Sequence, residues 1–210
     1  MRTPVNWDHG GEGLKETFSR RLPQARKATH YAARVHAGQT RGDGTPFILH
    51  ALEVGSLLRD AGAPDHVIAA GVMHDVIEKT PVTASELQAS FGPRITALVL
   101  AVTDDERITG YAKRKAALRR QVAGAGDEAL SLFAADKLSK LRELRRETAT
   151  ERNPGSTARA RSALRSRRVN HYRRSLALLQ ERLPDSPLVR ELDDELSALL
   201  RDRPALARTR

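Results

Sequence analysis

Pro64-Asp65-His66-Val67-Ile68-Ala69-Ala70-Gly71-Val72-Met73-His74-Asp75-Val76-Ile77-Glu78-Lys79 is apolar through its middle and carries an imidazole and a carboxylate on adjacent residues. Proline is pre-set for the first turn of a helix, so the stretch reads as one helix from Pro64 to about Lys79. His74 and Asp75 could then reach one metal ion from a single backbone segment. Glu78 falls one turn beyond His74, on the same face.

Outward from that stretch, helical spacing dominates. Ala25, Ala28, Ala32 and Val35 recur at three- and four-residue steps between Pro23 and His36, as one helix face requires. A glycine-rich loop with Pro46 follows over 37–46, and His36 could orient it. Apolar periodicity resumes from Ile48 to Ala61 and stops at Gly62. Thr83-Ala84-Ser85-Glu86 fits a capping box that opens a helix toward Phe91-Gly92, and Pro93 starts the next, to Thr103. Tyr111–Val122 is basic and amphipathic. Asp127–Leu144 is a helix; Arg145–Thr157, with Asn153-Pro154-Gly155, reads as a mobile loop. Arg161–Leu183 and Pro187–Arg201 read as two closing helices. Few runs alternate with period two, so the fold class is all-α, a bundle of about eight to ten helices.

Composition narrows the class. The chain has 210 residues, 40% hydrophobic, and no cysteine, which excludes disulfides and thiolate metal sites. No run approaches the ~20 apolar residues of a membrane span, and 1–13 lacks the pattern of a signal peptide; a cytoplasmic protein without membrane partners is the expectation. The formal charge is +10. Between Lys137 and Arg174 thirteen Lys or Arg stand against three Glu, so the excess is local. Such a surface attracts polyanions, but only Tyr172 offers a ring there for base stacking. Most of these residues read as a plain solvated arginine-rich surface, with a few left to face a polyanionic ligand, and nucleic acid is not the expected partner. A homo-oligomer stays open.

Two further residues complete a candidate centre. His50 ends the loop and its flank, and Asp136 lies among Leu132, Phe133, Ala134, Ala135 and Leu138. A carboxylate in an apolar helix is costly unless it is paired or bound to a cation; Lys140, one turn on, is the alternative partner. Singly, His50 could cap a helix and His74 could be a core histidine. Together, two imidazoles and two carboxylates suit a divalent first-row ion such as Mn²⁺ or Fe²⁺, with Zn²⁺ less well matched. A metal-polarised water would then be available for hydrolysis.

The ordered segments His36–His50, Ala70–Glu78, Phe91-Gly92, Val102–Asp105 and Ala134–Leu138 resemble the motifs of the HD phosphohydrolase superfamily, and within it the RelA/SpoT-type hydrolase domain. The resemblance spans about Ala25–Leu144 and, more loosely, the helix around Tyr172. It implies an extension over 1–22, an HD-type domain over 23–183, and a C-terminal helix and tail over 184–210. It also implies a stand-alone small alarmone hydrolase that removes the 3′-pyrophosphate of (p)ppGpp with Mn²⁺. Some relatives of that kind act on adenosine alarmones or NADPH. By the same resemblance, His50, His74, Asp75 and Asp136 hold the metal, and Glu78 orients or deprotonates the water. Arg41, Lys115 and Tyr172 meet the nucleotide.

Three positions depart from that pattern. Lys79 stands where the family's catalytic Glu-Asp pair has its Asp, Lys140 where it has Asn, and Gly42 where a basic residue is common. Lys79 and Lys140 would grip extra phosphate on a different nucleotide, or leave a protein that binds without turnover. Asp104 or Asp105 would restore part of the lost acidity, and Lys79 also suits a plain helix end.

Overall fold

A computed structural model describes Phe18 and residues 21–150 and 158–201. Among these residues the chain forms nine helices: α1 (Pro23–Val35), α2 (Ile48–Asp60), α3 (Asp65–Met73), α4 (Val76–Lys79), α5 (Ala84–Val102), α6 (Tyr111–Gly124), α7 (Asp127–Thr150), α8 (Ala158–Arg182) and α9 (Pro187–Arg201). The only β feature among them is an isolated bridge between Thr40 and Pro46. The all-α expectation holds. The chain divides into two compact units, Met1–Leu100 and Ala101–Arg210.

In the first unit α3 packs against both α1 and α2. Every residue of α3 from Val67 to Met73 is buried, as befits a helix apolar all round. Alanines 25, 28 and 32 give α1 a buried face of small side chains. Asp65, in the first turn of α3, accepts the backbone N–H groups of Gln24 and Ala25, each at 2.9 Å. It thereby caps α1, whose own N-cap residue, Leu22, makes no side-chain cap bond. The α2–α3 seam depends on two glycines. A Cβ at Gly55 would lie 2.6 Å from Val72 Cγ2 and 2.8 Å from Phe18 Cζ; one at Gly71 would lie 2.4 Å from Leu58 Cδ1. His50 rides on α2 and His74 follows α3, so this close approach sets the distance between them.

The expected single helix from Pro64 to Lys79 is interrupted. α3 ends at Met73, and α4 begins at Val76. Asp75 sits at φ −96° and ψ 0°, outside the helical well. The break falls on the His-Asp pair itself. The Thr83–Glu86 box forms as expected: Glu86 Oε2 accepts the Thr83 N–H and hydroxyl at 2.8 Å, and Thr83 Oγ1 accepts the Glu86 N–H at 3.2 Å. Within α5, Gly92 takes φ 80° and ψ 169°. Only glycine adopts that region readily, so the chain turns there before Pro93.

In the second unit α7 packs on α8 and α9, and α6 on α7 and α8. Leu188, Leu192, Leu196 and Leu199 form the buried stripe of α9. The expected loop at Arg145–Thr157 is corrected in part, because α7 continues to Thr150; 151–157 lies outside the described residues. Ion pairs tie this helix to its neighbours. Arg142 pairs with Glu191, and Arg145 Nη1 lies 2.9 Å from Glu195 Oε2. These pairs, with Arg168–Glu147 at 3.0 Å, also neutralise part of the basic stretch 137–174. No helix among the described residues is long and apolar enough to cross a membrane.

Candidate functional site

In the first unit three of the predicted ligands come together. His50, His74 and Asp75 are all buried. The Nε2 atoms of His50 and His74 stand 3.2 Å apart, with the two rings edge to face. Asp75 Oδ1 is 3.3 Å from His74 Nε2, and Asp75 Oδ2 is 3.7 Å from His50 Nε2. His74 Nδ1 donates to the Gly71 carbonyl at 2.8 Å. A neutral His74 therefore keeps its lone pair on Nε2, the atom that faces His50. The interruption after α3 is what turns Asp75 to the same spot as His74.

Around this cluster the loop is tied down. Gln39 Oε1 accepts from His36 Nδ1 at 2.9 Å, and Gln39 Nε2 donates to the Lys79 carbonyl at 2.7 Å. His36 stacks obliquely on Phe47, with centroids 4.9 Å apart. Burial lowers its pKa; the Gln39 bond and the Asp75 charge push the other way, and His74 lowers it slightly. Its Nε2 has no hydrogen-bond partner among the described residues. Arg41 belongs to the turn between Thr40 and Pro46, where its N–H donates to Thr45 O at 2.8 Å. Asp43 Oδ1 accepts both the Thr45 N–H (3.0 Å) and its hydroxyl (2.6 Å), which closes that turn. Glu78 is half-buried in α4, and Lys79 is exposed at its end.

In the second unit Asp136 is buried on α7, 3% exposed. Lys137 Nζ engages its Oδ2, and Lys140 Nζ lies 2.8 Å from its Oδ1. Lys137 also sits over the Phe133 ring, 4.5 Å from the centroid. Burial lowers its pKa, against the pull of Asp136. Lys115 is committed to Asp104, which Arg114 also approaches at 3.6 Å. Asp105 accepts from Arg107 at 2.8 Å, so the two candidates for restored acidity both already face cations. Tyr172 is buried on α8; burial raises its hydroxyl to about 12, while Arg168, bonded to it, lowers it. His50, His74 and Asp136 are each buried, and each offers a donor atom for a metal ion.

A profile of the HD domain family matches residues 28–164. This chain belongs to the HD domain family. Human guanosine-3′,5′-bis(diphosphate) 3′-pyrophosphohydrolase MESH1 is 37% identical to this HD domain protein over 127 residues, 59% of this chain and 70% of MESH1. A Synechocystis protein named probable guanosine-3′,5′-bis(diphosphate) 3′-pyrophosphohydrolase is 42% identical over 77 residues, 37% of this chain. The chain spans only 10 to 15% of the length of that protein and of the Streptomyces coelicolor and Mycoplasma pneumoniae relatives. In fold, the HD domain protein is similar to a solved metazoan ortholog of SpoT described as hydrolysing ppGpp. The TM-score is 0.68 at 24% identity, over 87% of this chain and 97% of that one.

Sequence reasoning passed over His171. This histidine of the HD domain protein is 6% exposed on α8. Arg119 Nη1 donates to its Nδ1 at 3.0 Å, which places the ring proton on Nε2, an atom without a hydrogen-bond partner among the described residues. Burial, then Lys137, Lys115 and Arg119, drive its pKa down to about 2. Its neighbours Asn170, Arg173 and Arg174 are polar, so nothing local marks it as interior. Gln39 was equally hidden: His36 stands three residues before it, but its other partner, the Lys79 carbonyl, lies forty residues on.

Proposed function

We propose that the protein hydrolyses the 3′-pyrophosphate of (p)ppGpp-like alarmone nucleotides at a divalent metal centre held by His50, His74, Asp75 and Asp136. What carries the reading is the facing pair of buried imidazole nitrogens beside Asp75, in a chain 37% identical to MESH1 over 70% of that protein. The donor set fits the ion. Two nitrogens each about 2.1 Å from one metal, at roughly a right angle, lie about 3 Å apart, and the observed separation is 3.2 Å. His74 is pre-oriented for it by the Gly71 carbonyl, as a ligand histidine's second nitrogen usually is.

When bound, the ion lowers the pKa of a ligated water and offsets charge on a phosphate oxygen. The remaining work falls to the chain. Glu78 accepts the proton of the attacking water. Arg41, Lys115 and Lys140 bind phosphate oxygens, and Tyr172 packs near the base or ribose. Mixed nitrogen and oxygen donors favour Mn²⁺, then Fe²⁺ or Zn²⁺. The setting proposed is the cytoplasm.

A second reading rests on Lys79 and Lys140. Both are cations at positions where the resemblance places an acid and an amide, which changes the charge that meets the substrate and suits a different nucleotide, such as an adenosine alarmone or NADPH. One experiment separates the readings: Mn²⁺-loaded protein given ppGpp, pppGpp, adenosine alarmones and NADPH, with pyrophosphate resolved from orthophosphate. Pyrophosphate release from guanosine alarmones supports the first. Release only from the other substrates supports the second, and binding without release from any of them rejects the enzyme reading.

A further inference from the structure

Two lysines share the carboxylate of Asp136: Lys137 holds Oδ2, and Lys140 stands 2.8 Å from Oδ1. The two lysines differ in exposure. Lys137 has a side chain 4% exposed and rests on Phe133, so withdrawing it would strand a buried charge. Lys140 has a side chain 31% exposed, and its flexible stem can carry the ammonium into water at little cost.

We propose that Lys140 is a displaceable counter-ion of Asp136: it occupies the carboxylate while no cation is bound, leaves when one binds, and is then free to take a phosphate oxygen. The inference rests on the reading of Asp136 as a metal ligand. An ammonium and a dication compete for the same oxygen, so Lys140 weakens metal binding. Loading the centre then releases a cation for the anionic substrate, so metal and phosphate binding become coupled and, by linkage, reciprocally so.

The test is Mn²⁺ binding to the full chain, followed by the spin-resonance signal of free Mn²⁺, for the wild type and for Lys140→Asn, Lys140→Met and Lys140→Arg. Removing the charge in the Asn and Met variants should tighten Mn²⁺ binding about tenfold or more, as expected for deleting one unit charge near a dication at the edge of a protein. The Arg variant should stay within about threefold of the wild type. The gain in pyrophosphate affinity on adding Mn²⁺ should also be smaller in Lys140→Met than in the wild type. Unchanged or weaker Mn²⁺ binding in both neutral variants overturns the inference and leaves the metal centre standing. No Mn²⁺ binding by any of the four proteins overturns both.

Discussion

Asp65 and Ala25 are joined by a hydrogen bond across forty positions of sequence, the carboxylate on α3 accepting the N–H of α1 at 2.9 Å. Its second oxygen does the same for Gln24. This is a helix cap supplied from another helix, and it fixes where α1 begins relative to α3. Asp65→Ala should cost about 1–2 kcal/mol of stability, the usual size of a lost N-cap. Urea unfolding followed by circular dichroism measures it, and an unchanged midpoint would argue that the cap contributes nothing net.

Gly55→Ala should be more disruptive than an average glycine-to-alanine change in a helix, which ordinarily raises helix propensity. The new methyl meets Val72 and Phe18 well inside contact distance. Overpacking of this kind costs about 1–3 kcal/mol. Because the same seam spaces His50 from His74, Mn²⁺ affinity should fall along with the melting temperature. Loss of stability with unaltered Mn²⁺ affinity would show that the seam does not set the histidine pair.

His74→Ala should lower metal-dependent turnover by about three orders of magnitude or more, the scale of several kcal/mol of charge stabilisation. Its circular dichroism should stay close to that of the wild type. Glu78→Gln should lower kcat while leaving Mn²⁺ binding within about twofold, since its proposed role is with the water. A Glu78→Gln enzyme as fast as the wild type would remove that role.

His171 makes stability depend on pH in a defined direction. Its folded pKa, about 2, lies below the unfolded value near 6.5. Between those limits the unfolded chain binds the extra proton, so stability falls as pH drops below about 6.5, by at most about 1.4 kcal/mol per pH unit from this group. His171→Asn keeps an acceptor for Arg119 and removes the titration. Unfolding free energies from pH 7 to pH 5, above the range where most carboxylates protonate, should be flatter in the variant. Parallel profiles would mean that His171 takes up its proton in the fold as readily as in the unfolded chain.

Local chemistry explains what was readable beforehand. The Thr83–Glu86 box and the turn at Gly92 are written in neighbouring residues, and both stand where expected. The His50, His74 and Asp75 grouping was legible from these residues taken together, since a lone His-Asp pair arises by chance in many proteins. The interruption at His74-Asp75 was not legible, since no proline marks it and the apolar run continues to Ile77. The extension of α7 beyond Leu144 was masked by Asn153-Pro154-Gly155, while a partner of the extended part, Glu195 against Arg145, comes from a distant segment. Distant partners of this sort also account for His171, held by Arg119, and for the Gln39 bond to the Lys79 carbonyl.

The bond from Gln39 ends on the backbone carbonyl of residue 79, not on a side chain. Any amino acid supplies that oxygen, so the anchoring of the loop is indifferent to what position 79 encodes. Charge there can be rewritten, from lysine to aspartate or back, while the fastening between loop and short helix stays the same. Position 79 is thus a place where lineages could retune the chemistry beside the histidines without rebuilding the scaffold.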